Sequence, residues 1–443
     1  MAAEKQNKTN RAPAEVLAFC AEKERYARSL ANELKIEIPG EISDFFIAAK
    51  KSDWPRVDEV YELIRTRYMA TSDSKEENKL GAVINQSALE IALAKEQFVE
   101  GSPRLALALG KDILTSMPQG SIFFAGNDAG QSLATTLSKS QPSGSPIFTI
   151  SQNQLADGRY VLYLRTIYES QIYVPTTQDT ERSFAEYMAD AKRRLEHDQT
   201  FPNAPRQVKP GEDIRLDDNK RVQVSGHVSV MAINALLAKI IFDQNPAREF
   251  FVVESFPLDW MYPHLSPNGP ILKVNRKPAT ELSLDVVEKD RKYWTQQQSK
   301  LIGSWLTPKT SVKEICQFVD KVYVAQNFDG FSGDREFIKD ERAQKNYSKL
   351  RSAIGGLYSW RSNKAASTEE KTRMNEEADF AFRQAFVFCP NSAEALFRYV
   401  NLLVQAKRYD DALSLTEAAM KVSTETGSLP NLQQELHRLK ERS

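Results

Sequence analysis

Apolar residues recur along the first hundred positions at the three- and four-residue spacing of a helix. Val16, Phe19, Ala27, Leu30 and Leu34 form one such row, and the Pro39-Gly40 pair is read as its end. A second row, from Glu41 to Lys51, carries Phe45, Phe46, Ala48 and Ala49. Ser52-Asp53 reads as the cap of a third helix, with Pro55 in the first turn where a missing amide hydrogen costs nothing. Its inward stripe is Val57, Val60, Tyr61, Ile64 and Tyr68. A polar run from Thr71 to Lys79 reads as a loop. Beyond it, Leu80, Val83, Ile84, Ser87, Ile91, Ala94 and Phe98 describe one long amphipathic helix. The spacing predicts a helical array of paired hairpins over residues 1–100.

At Gly101-Ser102-Pro103 the texture changes to short apolar runs separated by helical periods. The runs are Ser121 to Ala125, Ile147 to Ser151, Val222 to Ser225 and Phe250 to Glu254. Between them lie helices over Pro103 to Met117, Asp128 to about Lys139, Leu155 to Tyr168, Thr180 to His197 and Val228 to Phe242. Asp198 to Lys220, rich in proline, reads as a long excursion. Short buried strands alternating with helices predict an α/β domain over residues 101–280, with a mostly parallel sheet covered by helices on both faces.

Residues 281–345 read as a helical connector. In it Ser311 and Glu314 stand three apart before the stripe Val312, Ile315, Cys316, Val319 and Val322, the spacing of a capping box. Residues 346–443 carry a 34-residue period. Ala378, Phe382, Ala385 and Pro390 match the second half of a tetratricopeptide repeat, and Ile354-Gly355 with Tyr358 fits the first half. Ala412 and Ala419 repeat Ala378 and Ala385 at that interval, while Leu396, Tyr399 and Leu403 fill the next helix. The two halves of the first unit stand about eleven residues too far apart, so an inserted loop around Asn363 to Thr368 is expected. The tail is therefore read as a tetratricopeptide-like helical unit.

Composition narrows the function classes. The 443 residues hold 59 Lys plus Arg and 59 Asp plus Glu, so a nucleic-acid partner, which calls for a basic excess or stripe, is not expected. No run reaches the roughly 20 apolar residues of a membrane span. Val228 to Phe242 comes nearest and is broken by Asn234 and Lys239. The polar start Met1 to Gln6 lacks the apolar core of a secretory signal, which points to the cytoplasm. Cys20, Cys316 and Cys389 are scattered among apolar neighbours and read as reduced thiols. His197, His227, His264 and His437 show no metal-ligand spacing, so neither a metal nor a cofactor is expected.

No arrangement of residues amounts to a recognisable active site, and two segments carry ligand-binding candidates. Asn127 and Asp128 follow a buried strand and open a helix, where free amide hydrogens suit an anion and Asp128 suits a hydroxyl or a metal. The competing reading is an ordinary helix cap. In Phe256 to His264, Trp260 and Tyr262 could stack on a sugar ring while Asp259 binds its hydroxyls. The competing reading is a plug of aromatic side chains at the end of the sheet, and a third is an acid–base pair of Glu254 and Asp259. Ser225-Gly226-His227 lacks the elbow that would make a nucleophile. Asn327 to Asp334 departs from a calcium loop at Phe331 and Ser332 and reads as a turn.

The stretch Gly120 to Asp128, the helix ending Phe242 to Pro246, the strand Phe250 to Glu254 and the segment His264 to Val274 together resemble the soluble region of a bacterial family of uncharacterised membrane proteins. Those proteins look like protein O-mannosyltransferases, and some carry tetratricopeptide repeats at the C-terminus. The resemblance covers Pro103 to Pro278 and the tail. The membrane portion that holds the family's acidic catalytic residues has no counterpart here. It implies a non-catalytic interaction or accessory protein of a glycosylation system, with a protein partner, lying outside the cytoplasmic membrane if the chain is a fragment. The alternative is a domain that binds a sugar or nucleotide-sugar at the strand ends.

Overall fold

The structure, a computed structural model, describes residues 12–67, 74–126, 129–138, 147–168, 171–216, 222–254, 256–423 and 427–442. Tyr68, Asn127, Asp128 and the start Met1 to Gln6 lie outside them.

Among the described residues the N-terminal part holds α1 (Ala14–Leu34), α2 (Gly40–Lys51), α3 (Trp54–Arg67) and α4 (Lys75–Phe98). Their ends differ from the sequence reading. Lys35, at φ 58, closes α1 in the left-handed conformation, and Pro39-Gly40 opens α2 instead of ending α1. Ser52, at φ 60, closes α2, so only Asp53 stands before α3. The polar run 75–79 is helical because Ser74 caps Glu77 N at 3.2 Å, and Lys and Glu are good helix formers.

The α/β region contains α5 (Pro103–Thr115), β1 (Ile122–Ala125), α6 (Ala129–Leu137), β2 (Phe148–Ser151), α7 (Gly158–Tyr168), α8 (Thr177–Thr200), β3 (Asp213–Leu216) and β4 (Val222–Ser225). It continues through α9 (His227–Gln244), β5 (Phe250–Val253), β6 (Leu265–Asn268) and β7 (Ile271–Val274). The five-stranded sheet runs β2-β1-β5-β7-β6. Only β2, β1 and β5 are parallel, while β7 joins β5 and β6 joins β7 antiparallel, so the sheet is mixed where a mostly parallel one was expected. A turn at Gly269, φ 62, returns the chain directly, and a strand returned by so short a turn must pair antiparallel. Pro267 is tolerated because β6 is an edge strand. Val222 to Ser225 is not in this sheet. It pairs with β3, inside the expected excursion, as a separate hairpin. Its alternation of valine with Gln223 and Ser225 marks a strand with only one apolar face, unlike the wholly buried β1, β2 and β5.

Both faces of the main sheet are covered. On one, the Phe124 and Phe250 rings stack at 5.7 Å and Phe242 of α9 closes on Phe250 at 5.0 Å. On the other, Thr135 of α6 donates to Thr149 of β2 at 3.1 Å. A Cβ on Gly130 would come within 2.6 Å of Val253, so glycine lets α6 lie directly on β5. Helices α1 and α4 pack against α6 from outside, which places the N-terminal helices over this face.

The C-terminal half comprises α10 (Leu284–Ile302), α11 (Val312–Phe318), α12 (Arg335–Lys339), α13 (Glu341–Lys364), α14 (Thr368–Phe388), α15 (Ala393–Gln405), α16 (Tyr409–Val422) and α17 (Leu429–Glu441). The Ser311–Glu314 capping box is present at the start of α11. Ser348 donates to Ala385 O and Ser362 to Lys371 O, a pairing that makes α13 and α14 antiparallel. No inserted loop spans Asn363 to Thr368. The extra residues lengthen both helices, and only residues 365–367 turn, with Ser367 capping α14. Lengthening two antiparallel helices together satisfies each added backbone group within its helix, which a loop would not. Ala378, Ala385, Ala412 and Ala419 are all buried.

Two buried cations join these helices to the rest. Arg351 of α13 meets Asp290 of α10 at 2.8 Å, both side chains fully buried, and Tyr358 donates to the same carboxylate oxygen at 2.8 Å. Arg361 reaches the β6 edge, donating to the backbone oxygens of Pro263 at 3.1 Å and Leu265 at 3.0 Å.

Candidate functional site

The strand order places β2 on one side of β1 and β5 on the other, so the chain changes direction between β1 and β5. In open α/β sheets the carboxyl ends at such a point collect ligands. Gly126 leaves β1 there, beside Glu254. A Cβ on Gly126 would overlap the Glu254 carboxylate and come within 3.0 Å of Asn153 Nδ2, so the crowding itself demands glycine. Asn127 and Asp128, the first candidates, fall outside the described residues.

Asp259 and Trp260 lie elsewhere. Leu265 pairs with Val274, which pairs with Phe250, so the chain from residue 256 to 264 returns to the amino end of the parallel strands. There the Trp260 ring packs on Phe242 at 5.2 Å and near His264 at 6.3 Å, with Lys239 Nζ 5.7 Å from its centre. Asp259 is 97% exposed, 4.0 Å from Lys209. Glu254 and Gly126 mark the opposite end of the strands. The Ser225 hydroxyl donates to Asp213 at 2.7 Å, not to His227, which starts α9. Among the described residues no group of three or more His, Cys, Asp or Glu side chains is placed to hold a metal ion. No helix among them is long and apolar enough to cross a membrane.

A larger concavity, about 770 Å³, opens where α14 meets α10, α13 and α15. Phe380, Leu402 and Leu403 lie at its base. Its walls carry four cationic side chains, Arg291, Lys371, Arg383 and Arg408, against two acidic ones, Glu376 and Asp379. Asp379 fixes two of the cations: Arg408 donates to it at 2.9 Å and Arg383 forms an ion pair with it. Arg291 pairs with Glu377. Lys371, exposed, has no ion-pair partner among the described residues. Lys371, Asn375, Asp379 and Arg383 form a row at four-residue spacing along α14. That row was visible in the sequence, but a polar helical row by itself reads as a solvated face. What it omits is the opposing wall from Arg291 and Arg408, which comes from distant segments.

Comparison of the chain with protein-family models, with curated proteins and with solved structures finds no match. The concavity is therefore judged by its own chemistry. Its walls present arginines held by ion pairs and an exposed lysine over an apolar base.

The three cysteines are free, with Cys20 and Cys389 buried and Cys316 half-buried. Burial pushes the Cys20 and Cys389 thiols up to about 12 and Cys316 up to about 11. Burial likewise raises Tyr160, Tyr163 and Tyr358 well above the ordinary phenol value. Groups that ionise later when folded favour the native state below their unfolded values. That advantage is lost as pH climbs from about 8.5 toward the folded values, because only the unfolded chain then releases protons. Urea midpoints should accordingly fall from pH 8 to pH 10, and thiol reagents should label Cys20 and Cys389 only as fast as the chain opens. Prompt labelling of either at neutral pH would contradict their burial.

Proposed function

We propose that the chain is a non-catalytic interaction protein whose C-terminal helices, a tetratricopeptide-like array, receive an extended, carboxylate-bearing peptide segment of a protein partner. The observation that carries this reading is the concavity beside α14. Arg291 is paired there with Glu377, Arg383 with Asp379, and Arg408 with Asp379 and Asp411, so Lys371 is the cation left to pair with an incoming group. The buried alanines at a 34-residue interval and the paired helices support the repeat assignment. A role beside a glycosylation system rests on the sequence resemblance of Pro103 to Pro278 and the tail. Crosslinking to membranes that carry such transferases tests it separately.

Binding of fluorescent peptides rich in Asp and Glu, compared with length-matched Lys-rich peptides, checks the groove directly. The acidic set should bind, should weaken as salt rises, and should lose about tenfold in affinity with Lys371→Glu, equivalent to about 1.4 kcal/mol. Equal binding of the basic set, or of neither set, would remove the basis for this function.

A further inference from the structure

A second cavity, of about 170 Å³, lies between α4, α6 and the turn that follows β2, beside the carboxyl ends of the parallel strands. Gln86 and Glu90 of α4, Gln131, Ser132 and Thr135 of α6, and Gln154 bring polar atoms to a wall whose accessible surface is mostly apolar. Half-buried Leu89 and Leu93 complete the wall. Space of this size would hold about five or six waters at roughly 30 Å³ each.

The polar atoms here are not all satisfied. Ser132 is only 4% exposed, yet its hydroxyl has no hydrogen-bond partner among the described residues, and neither does the buried Oε1 of Gln154. A buried hydroxyl or amide without a partner costs free energy, so an unpaired group facing a cavity marks a place where something else supplies the bond. Glu90, by contrast, is spoken for. Its Oε1 accepts from Gln86 Nε2 at 3.2 Å and Tyr163 OH at 3.0 Å, while Oε2 accepts no hydrogen bond and is matched by charge alone, 2.5 Å from Lys23 Nζ. Thr135 is turned toward Thr149.

We infer that this cavity is a binding site for a small neutral molecule rich in hydroxyl groups, about the size of a single sugar ring. Charge balance selects neutrality. The cavity's one carboxylate is already matched by Lys23, so a bound anion would meet Glu90 with no free cation, and a bound cation would compete with Lys23. Side-chain amides and hydroxyls offer donors and acceptors together, which is what a ring of hydroxyls requires. The leucines suit its C–H surface. The site is separate from the groove beside α14 and shares no residue with it.

The test is calorimetric titration of the full chain with neutral hexoses and cyclitols, their methyl glycosides, disaccharides, a hexose phosphate and a uronic acid. At least one neutral ring should bind with unit stoichiometry, and the phosphate and uronate should not. Binding of a free ring but not of disaccharides identifies a free monosaccharide or cyclitol as the ligand. Binding of methyl glycosides and disaccharides as well identifies the end of a glycan. Ser132→Val removes an unpartnered hydroxyl and Gln131→Leu removes an amide. Each should weaken binding at least about tenfold while leaving circular dichroism and the urea midpoint near the parent's. Three results would overturn the assignment: no neutral ring binds at millimolar concentration, the anionic sugars bind as well as neutral ones, or affinity survives both substitutions in folded protein. The first would leave a cavity filled by water alone.

Discussion

Asp290→Ala is expected to lower the free energy of unfolding by about 3–5 kcal/mol, the largest effect of any single change considered. The carboxylate is fully buried between Arg351 and Tyr358, each at 2.8 Å. Removing it leaves a guanidinium in the core with only Gln384, at 2.8 Å, and the face of Trp294 for company. A lone buried charge is the expensive outcome, more so than loss of the pair. The triple change Asp290→Leu, Arg351→Met and Tyr358→Phe removes the charges and the orphaned hydroxyl together, so its cost should fall to about 1–3 kcal/mol, that of the Gln384 oxygen left without Arg351. Urea unfolding of the two variants measures both. A single variant that costs less than about 1 kcal/mol would show that water reaches Arg351, contrary to its burial.

Gly355→Val should cost about 1–3 kcal/mol, and Phe382 should account for it. A Cβ at Gly355 would meet Cδ1 and Cε1 of Phe382 at 2.8 Å and the Cβ of Ala381 at 3.3 Å. Helices α13 and α14 would have to separate, and the Tyr399 and Phe382 rings, 6.4 Å apart, would shift with them. Valine has the better helix propensity, so a destabilising result cannot come from the helix itself. Phe382→Leu opens the space, and the double variant should be more stable than the two single losses predict, by about 0.5–3 kcal/mol. Strict additivity in that cycle would mean that the two helices do not meet at these residues.

Both predictions concern positions of unequal visibility in the sequence. Gly355 could be found because the repeat pattern assigns a small residue to the place where two helices approach. Asp290 and Arg351 could not, because 61 positions separate them and each reads as one more charge on a helix. The same division runs through the candidate sites. The strand end after Ala125 was marked by Asn127 and Asp128, which follow it, and the structure places Gly126 there against Glu254. Trp260 was marked by its aromatic neighbours, but which end of the sheet it reaches depends on the β6–β7 return, and no local pattern reports that. The groove beside α14 showed only one wall in the sequence. The cavity under Ser132 showed none, since isolated glutamines and serines on helices carry no periodic signal.

The sequence by itself determined the helices, the short apolar strands and caps such as Ser311 with Glu314, because burial period and backbone capping are settled within a few neighbouring residues. Even there it misjudged Ser52, since a left-handed closing residue and a capping residue use the same polar type. Only the tertiary structure decided the strand order, the antiparallel half of the sheet, the separation of β3 and β4 into their own hairpin and the pairing of Arg351 with Asp290. Those choices join segments tens of residues apart. The entropy of closing such loops changes slowly with length, so proximity in sequence does not choose among partners; complementary burial and charge do.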